Sequence, residues 1–195
     1  MYNALVDGLP DSFEGYPVNT DFETGIQIMK VLDDDELTEE EKYYQAATLL
    51  FDDLEMPPMD IAINALLWWM TGWNNDRKVE DDDKTVVMDM DVDQWRIYSA
   101  FRSQYHIDLM RDYLHFWEFM ALLTTLGECA FTRVIDIRGE KESRGMSQEE
   151  KRALRKAKAK YSLKPVKADR RKVPLTQAEE DFLKYANIGK TNTAP

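Results

Sequence analysis

The chain has 195 residues, 44% of them hydrophobic and 32% charged, with a formal net charge of −12. That length allows one domain with tails, and the apolar share is enough for a core. The negative balance argues against nucleic acid as a partner of the whole protein, because phosphate would be repelled.

Residues 1–18 carry Gly8, Pro10, Gly15 and Pro17 among scattered apolar positions. They read as an irregular or short extended arm whose Tyr2, Leu5, Phe13 and Tyr16 could dock on the body or on a neighbour. Thr20 with Glu23 has capping-box spacing and starts the first predicted helix. Phe22, Ile26, Met29 and Leu32 follow at helical spacing, and the helix should stop near Leu32, where three aspartates oppose the macrodipole. Thr38 with Glu41 repeats the capping box and opens a second helix over 39–54. Pro57 and Pro58 suit the start of a third, over 59–73.

The third helix is apolar nearly all round and holds Trp68, Trp69 and Trp73. Such a helix belongs in a core or at an interface. Core is the preferred reading, but three tryptophans within six residues make these the best candidates for a partner surface. The acidic loop that follows contains Asp89-x-Asp91-x-Asp93. A calcium loop would need Gly where Gln94 stands and Glu where Ala100 stands, so a solvated loop and helix cap is the better reading. A fourth helix is expected over 93–105, with Trp95, Tyr98, Ala100, Phe101 and Tyr105 as its apolar positions.

Residues 108–131, DLMRDYLHFWEFMALLTTLGECAF, are the densest apolar and aromatic stretch. They read as a long core helix with Met110, Tyr113, Leu114 and Trp117 facing inward and Gly127 as its C-cap. A further short helix is expected near 131–137. Ser147 with Glu150 is a third capping box, opening the basic helix QEEKRALRKAKAKYSL. Lys164 to Pro174 is basic and coil-like, and Thr176 with Glu179 opens a last short helix.

Charge is unevenly divided. Residues 133–172 hold 15 Lys/Arg and 6 Asp/Glu, a net of +9, which leaves −21 for the remainder. The pattern is an acidic body with a basic arm. Arg152, Arg155, Lys156, Lys158 and Lys160 concentrate that arm, with only Tyr161 as an aromatic neighbour. Binding to an acidic protein surface fits this better than nucleic-acid binding.

Catalytic and metal motifs are missing from the sequence. The two histidines, His106 and His115, have no second His or Cys at ligand spacing, and there is no Gly-rich phosphate loop. We expect no enzyme activity, no cofactor and no metal. The single cysteine, Cys129, excludes an internal disulfide and fits a reducing cytoplasm, as a small core residue. The start MYNALVDGLP does not read as a signal peptide. Residues 61–73, the longest uncharged apolar stretch, are too short to cross a membrane.

Four segments carry a family resemblance: DFETGIQIMKVLDDDELTEEEKYYQAATLLF, MPPMDIAINALLWWMTG, DQWRIYSAFRSQYHIDLMRDYLHFWEFMALLTTLGECAFTRVIDIR and EEKRALRKAKAKYSLK. In this order the chain resembles the gp-fifteen-type proteins encoded near the tape measure gene of long-tailed phages of Gram-positive bacteria. The HFWEF block at 115–119 and the basic helix ending in Tyr161-Ser162-Leu163 are its most specific parts. The resemblance implies a tail assembly chaperone, with the tape measure protein and tail-tube subunits as partners. It implies a place in the host cytoplasm during assembly and absence from the finished particle. Self-association stays open. A structural virion subunit, a connector or tail-completion protein, is the alternative, and a nucleic-acid-binding regulator using the basic arm is a more distant one. The expected fold is an all-α, compact bundle of about five or six helices with a basic C-terminal helical extension. The expected divisions are an arm at 1–19, a helical body at 20–138 and the extension at 139–195.

Overall fold

The computed structural model describes residues 3–51, 56–74 and 86–163. These lie in one compact unit that runs to Leu163. The expected features beyond Lys164, the end of the second helix past Phe51 and most of the acidic loop lie outside the described residues.

The fold is all-α, with one small hairpin. Its helices are α1 (Ala4–Asp7), α2 (Phe22–Leu32), α3 (Glu39–Phe51), α4 (Met59–Thr71), α5 (Met90–Gln104), α6 (Phe116–Thr124), α7 (Ala130–Gly139) and α8 (Gln148–Lys160). The N-terminal arm is more ordered than expected. Strands β1 (Ser12–Phe13) and β2 (Tyr16–Pro17) pair antiparallel. The two-residue loop between them, Glu14-Gly15, has φ of 50° and 88°. Positive φ at both central positions is the type I′ geometry that matches strand twist.

The arm docks on the body, as its aromatics suggested. Phe13 lies 5.0 Å from the Trp68 ring and Tyr16 meets Phe51 edge-on. Buried His115 contacts the Pro10 carbonyl at 2.9 Å. The same imidazole accepts the Trp117 N–H on Nδ1 at 3.0 Å and so caps α6. An N–H donor at Nδ1 puts the ring proton on Nε2, so Nε2 donates to Pro10.

Several local signals hold at the residues that carry them. The helix α2 ends at Leu32. Thr38 and Glu41 exchange hydrogen bonds before α3, and Ser147 and Glu150 form the full box before α8. The Thr20 signal is displaced by one residue. Asp21 is the N-cap of α2 and accepts the Glu23 N–H at 2.7 Å, whereas the Thr20 hydroxyl bonds the Tyr113 hydroxyl. The fourth helix begins earlier than expected, because Asp89 caps it by accepting from Asp91 and Val92.

The largest correction concerns residues 108–131. Only Phe116–Thr124 is helical there, up to the start of α7. Before it the chain turns around Asp108, whose carbonyl accepts from Arg111 and Asp112. Its carboxylate, buried, takes Arg102 at 3.0 Å. Met110 and Tyr113 therefore point outward, 62% and 64% exposed, while Leu114 and Trp117 are buried as expected. The C-cap of α6 is Thr125, ahead of Gly127.

Aromatic rings form the centre. Phe22 stacks on Phe119, which stacks on Phe101 at 5.2 Å. Phe116 stacks on Trp69, and Trp69 and Trp68 meet Trp117. Helices α2 and α6 cross at Gly25, where an added Cβ would sit 2.0 Å from Phe116 Cδ2. Glycine is needed there for close approach.

Candidate functional site

The tryptophans singled out in the sequence sit on α4 and just beyond it, Trp69 in the core and Trp68 and Trp73 half-buried. Helix α4 buries Ala62, Ala65, Leu66 and Trp69, a three- and four-residue spacing that faces the core. Trp69 is fully buried, and its carbonyl accepts the Trp117 indole N–H at 2.8 Å. Among the described residues, its own Nε1 has no acceptor. Trp68 is half-buried under Phe13, and Trp73 donates to the Met70 carbonyl at 3.1 Å. The core reading of this helix holds for its inner face, and Phe13 of the arm packs on Trp68.

The basic candidates lie on α8, which packs on α7 through buried Leu154. At about 100° per residue, Arg152, Arg155, Lys156 and Lys160 spread over the side opposite Leu154, and Lys158 turns toward the packed side. Arg155 is already engaged, holding Glu142 through two nitrogens, at 2.8 Å from Nη2. That guanidinium keeps the Glu142 carboxyl below the usual range. Lys160 lies over the Tyr161 ring at 5.2 Å. The tryptophan and basic groups thus sit on different helices.

A buried charge cluster also ties the end of α8 to the body. Asp93 is fully buried on α5, and Arg138 of α7 grips both its oxygens, Nη2 at 3.1 Å. Arg96 adds a bond to Asp93 at 2.8 Å. Arg138 also donates to the Val87 carbonyl at 3.0 Å and to the Tyr161 carbonyl at 2.6 Å. One guanidinium therefore ties α5, α7, the residues before α5 and the end of α8. The three aspartates with the spacing of a calcium loop have other employment. Asp89 caps α5, Asp91 pairs with Lys30 at 2.8 Å, and Asp93 is the buried anion.

The surface best built for a partner lies elsewhere, on the outer face of α5. Asp93, Ile97, Ala100 and Phe101 fill the inner face. Trp95 stands opposite them, 63% exposed, with Val92 beside it at 51%. Tyr98 meets the Trp95 ring edge-on at 6.0 Å. The indole forms a ridge between two hollows. One, about 460 Å³, runs along Arg96, Ser99 and Ser103 to Cys129 and Ala130 at the start of α7. The other, about 150 Å³ and mostly apolar, is walled by Ile26, Leu109 and Met110. A large rigid aromatic with a polar edge, flanked by concavities, is the usual chemistry of a binding hot spot. Sequence reading placed Trp95 on the apolar side of its helix. Its phase, roughly 160° away from the buried direction set by Ile97, was the signal that could have found it.

Among the described residues no group of three or more His, Cys, Asp or Glu is placed to hold a metal. No described helix is long and apolar enough to cross a membrane. The class defined by these features is a helical protein with an aromatic core and an exposed aromatic, Trp95, on one outer helix face. Residues 5–163 match the family described as Bacteriophage Gp15 protein, and the chain belongs to that family. The match takes in most of the N-terminal arm as well as the helical body. No curated protein and no solved structure matches the chain.

Proposed function

We propose that this phage protein is a non-enzymatic tail assembly chaperone that binds the tape measure protein during tail morphogenesis. Family membership supports a phage role. The observation that carries the binding role is the outer face of α5. A long amphipathic helix needs a partner with an exposed apolar anchor and grooves beside it, and Trp95 with its two hollows supplies both. Tail-tube subunits would then polymerise around the held tape measure, in the host cytoplasm. The test is co-expression with tape measure fragments. The expected result is a soluble complex that Trp95→Ala weakens by at least about tenfold, the scale of a lost hot spot. A tape measure that stays soluble alone and never associates at micromolar concentration would sink the reading.

One observation favours a second reading, a structural virion subunit. Helix α1 buries none of its residues, and Leu5 and Val6 are 96% and 79% exposed. Apolar residues presented this way suit an arm ordered by a neighbouring subunit. Mass spectrometry of purified virions separates the two: a stoichiometric amount of the protein favours the subunit, its absence the chaperone.

A further inference from the structure

A third concavity, which shares Met90 with the smaller hollow beside Trp95, has its own chemistry. It holds about 550 Å³ and is lined by Met29 and Leu32 of α2, Met70 of α4, Val86 and Met88 before α5, and Met90. Four methionines converge here out of ten in the chain. All four are half-buried, and Val86 is 73% exposed. Methionine side chains are long, unbranched and polarizable, so a surface made of them reshapes around different apolar partners. The rim is acidic. Asp33, Asp89 and Asp91 border the hollow against one cation, Lys30. Asp33 opens an exposed run, Asp33, Asp34, Asp35 and Glu36, just past the C-terminus of α2. There the negative end of the helix dipole adds to the carboxylates.

We propose that this groove docks a basic amphipathic helix of a partner protein, apolar side chains on the methionines and Lys or Arg over the 33–36 carboxylates. Apolar floor and anionic rim together select that occupant. A neutral apolar helix would leave the carboxylates unmatched, and an acidic one would be repelled. Fluorescence anisotropy on the full chain tests this. The probe is a labelled Leu/Lys amphipathic helix of about five turns, roughly 18 residues, with a Leu/Glu counterpart as control. The Lys probe should bind and the Glu probe should not. The double variant Val86→Asn/Met88→Gln, which removes apolar contact without adding charge, should weaken binding by at least about tenfold, close to 1.4 kcal/mol. Val86→Asn alone, at an exposed position, keeps the test valid if the double variant fails to fold. Neutralising Asp33, Asp34 and Asp35 to Asn should weaken binding and flatten its salt dependence.

Trp95→Ala should leave the probe's affinity unchanged. The groove is overturned by a Lys probe that does not bind. It is overturned equally by affinity untouched in both Val86 variants, which would reduce the effect to bulk charge, or by loss of binding in Trp95→Ala. Failure of the tape measure to associate would remove the chaperone reading and leave this groove standing.

Discussion

Helices α4 and α5 both carry tryptophan, and they use it in opposite ways. On α4, Trp69 is fully buried, stacked on Phe116 and bonded through its carbonyl to Trp117. On α5, Trp95 is 63% exposed and its only described ring neighbour is Tyr98. Helix α4 is the more apolar, and its sequence reads first as core and second as a partner surface. Its apolar excess has a cause in the fold: it is covered on two sides, by the core and by the N-terminal hairpin through Phe13. Helix α5 has one buried side, apolar apart from Asp93, and one open side. An aromatic on the open side of a helix whose inner face is already filled is the better mark of a partner site.

The comparison can be broken most severely at the inner face of α5. Arg138→Ala would strand Asp93 as a buried, partly paired carboxylate and release the Val87 and Tyr161 carbonyls. Breaking a buried pair on one side costs about 3–5 kcal/mol. A urea midpoint should fall accordingly, and α8 should gain protease sensitivity at its C-terminal end. The exposed pair between Arg155 and Glu142 is the control, and Arg155→Ala should leave the midpoint in place. Trp69→Ala should come next, at about 3–5 kcal/mol, the range for emptying a large aromatic site. Both are measured by the same denaturation series.

Gly25→Ala sharpens the same point with a single methyl group. The new Cβ would lie 2.0 Å from the Phe116 ring, which is fully buried and stacked on Trp69. Helices α2 and α6 must separate, at a cost of about 1–3 kcal/mol. In an open helix the same change would be stabilising, so a rise in melting temperature would show that the ring can move aside.

The sequence disclosed what is decided locally. The end of α2 at Leu32 and the starts of α3 and α8 are each fixed by residues within one turn, so cap spacing was sufficient. Residues 108–115 were misread because their apolar content matches that of α6. What bends them is remote: Arg102 reaches Asp108, Tyr98 approaches it, and Thr20 and Leu114 pair their backbones with Phe116 and Phe22. Trp95 was misread by grouping aromatics instead of measuring their phase. The pairing of Asp93 with Arg138, separated by 45 positions, has no local signal at all.

His115 gives a smaller, pH-dependent effect on the α4 side of the comparison, because its ring packs 5.2 Å from Trp69. Burial lowers its pKa below the ordinary 6.5, and the Pro10 contact only partly offsets this. The unfolded chain therefore binds the proton first. Stability is complete above about pH 6.5 and declines as pH falls from there through the lower folded value. Protonation takes the Nδ1 lone pair from the Trp117 N–H, so the α6 cap and its neighbouring arm contact should loosen together. His115→Asn, which keeps an acceptor without titrating, should remove that part of the slope below about pH 6.5.

The smallest stability effect belongs to Trp95, and it is the sharpest test of the contrast. The indole lies outside the core, and its loss uncovers no buried polar group. Trp95→Ala should shift stability by no more than about 0.5 kcal/mol, as surface substitutions do. The same substitution at Trp69 should cost several times that. A Trp95→Ala protein that melts like the parent yet fails to hold the tape measure would assign the two tryptophans to binding and core respectively. A large loss of stability at Trp95 would mean that its hollows are covered in the folded protein, and the partner surface would have to be sought elsewhere on the molecule.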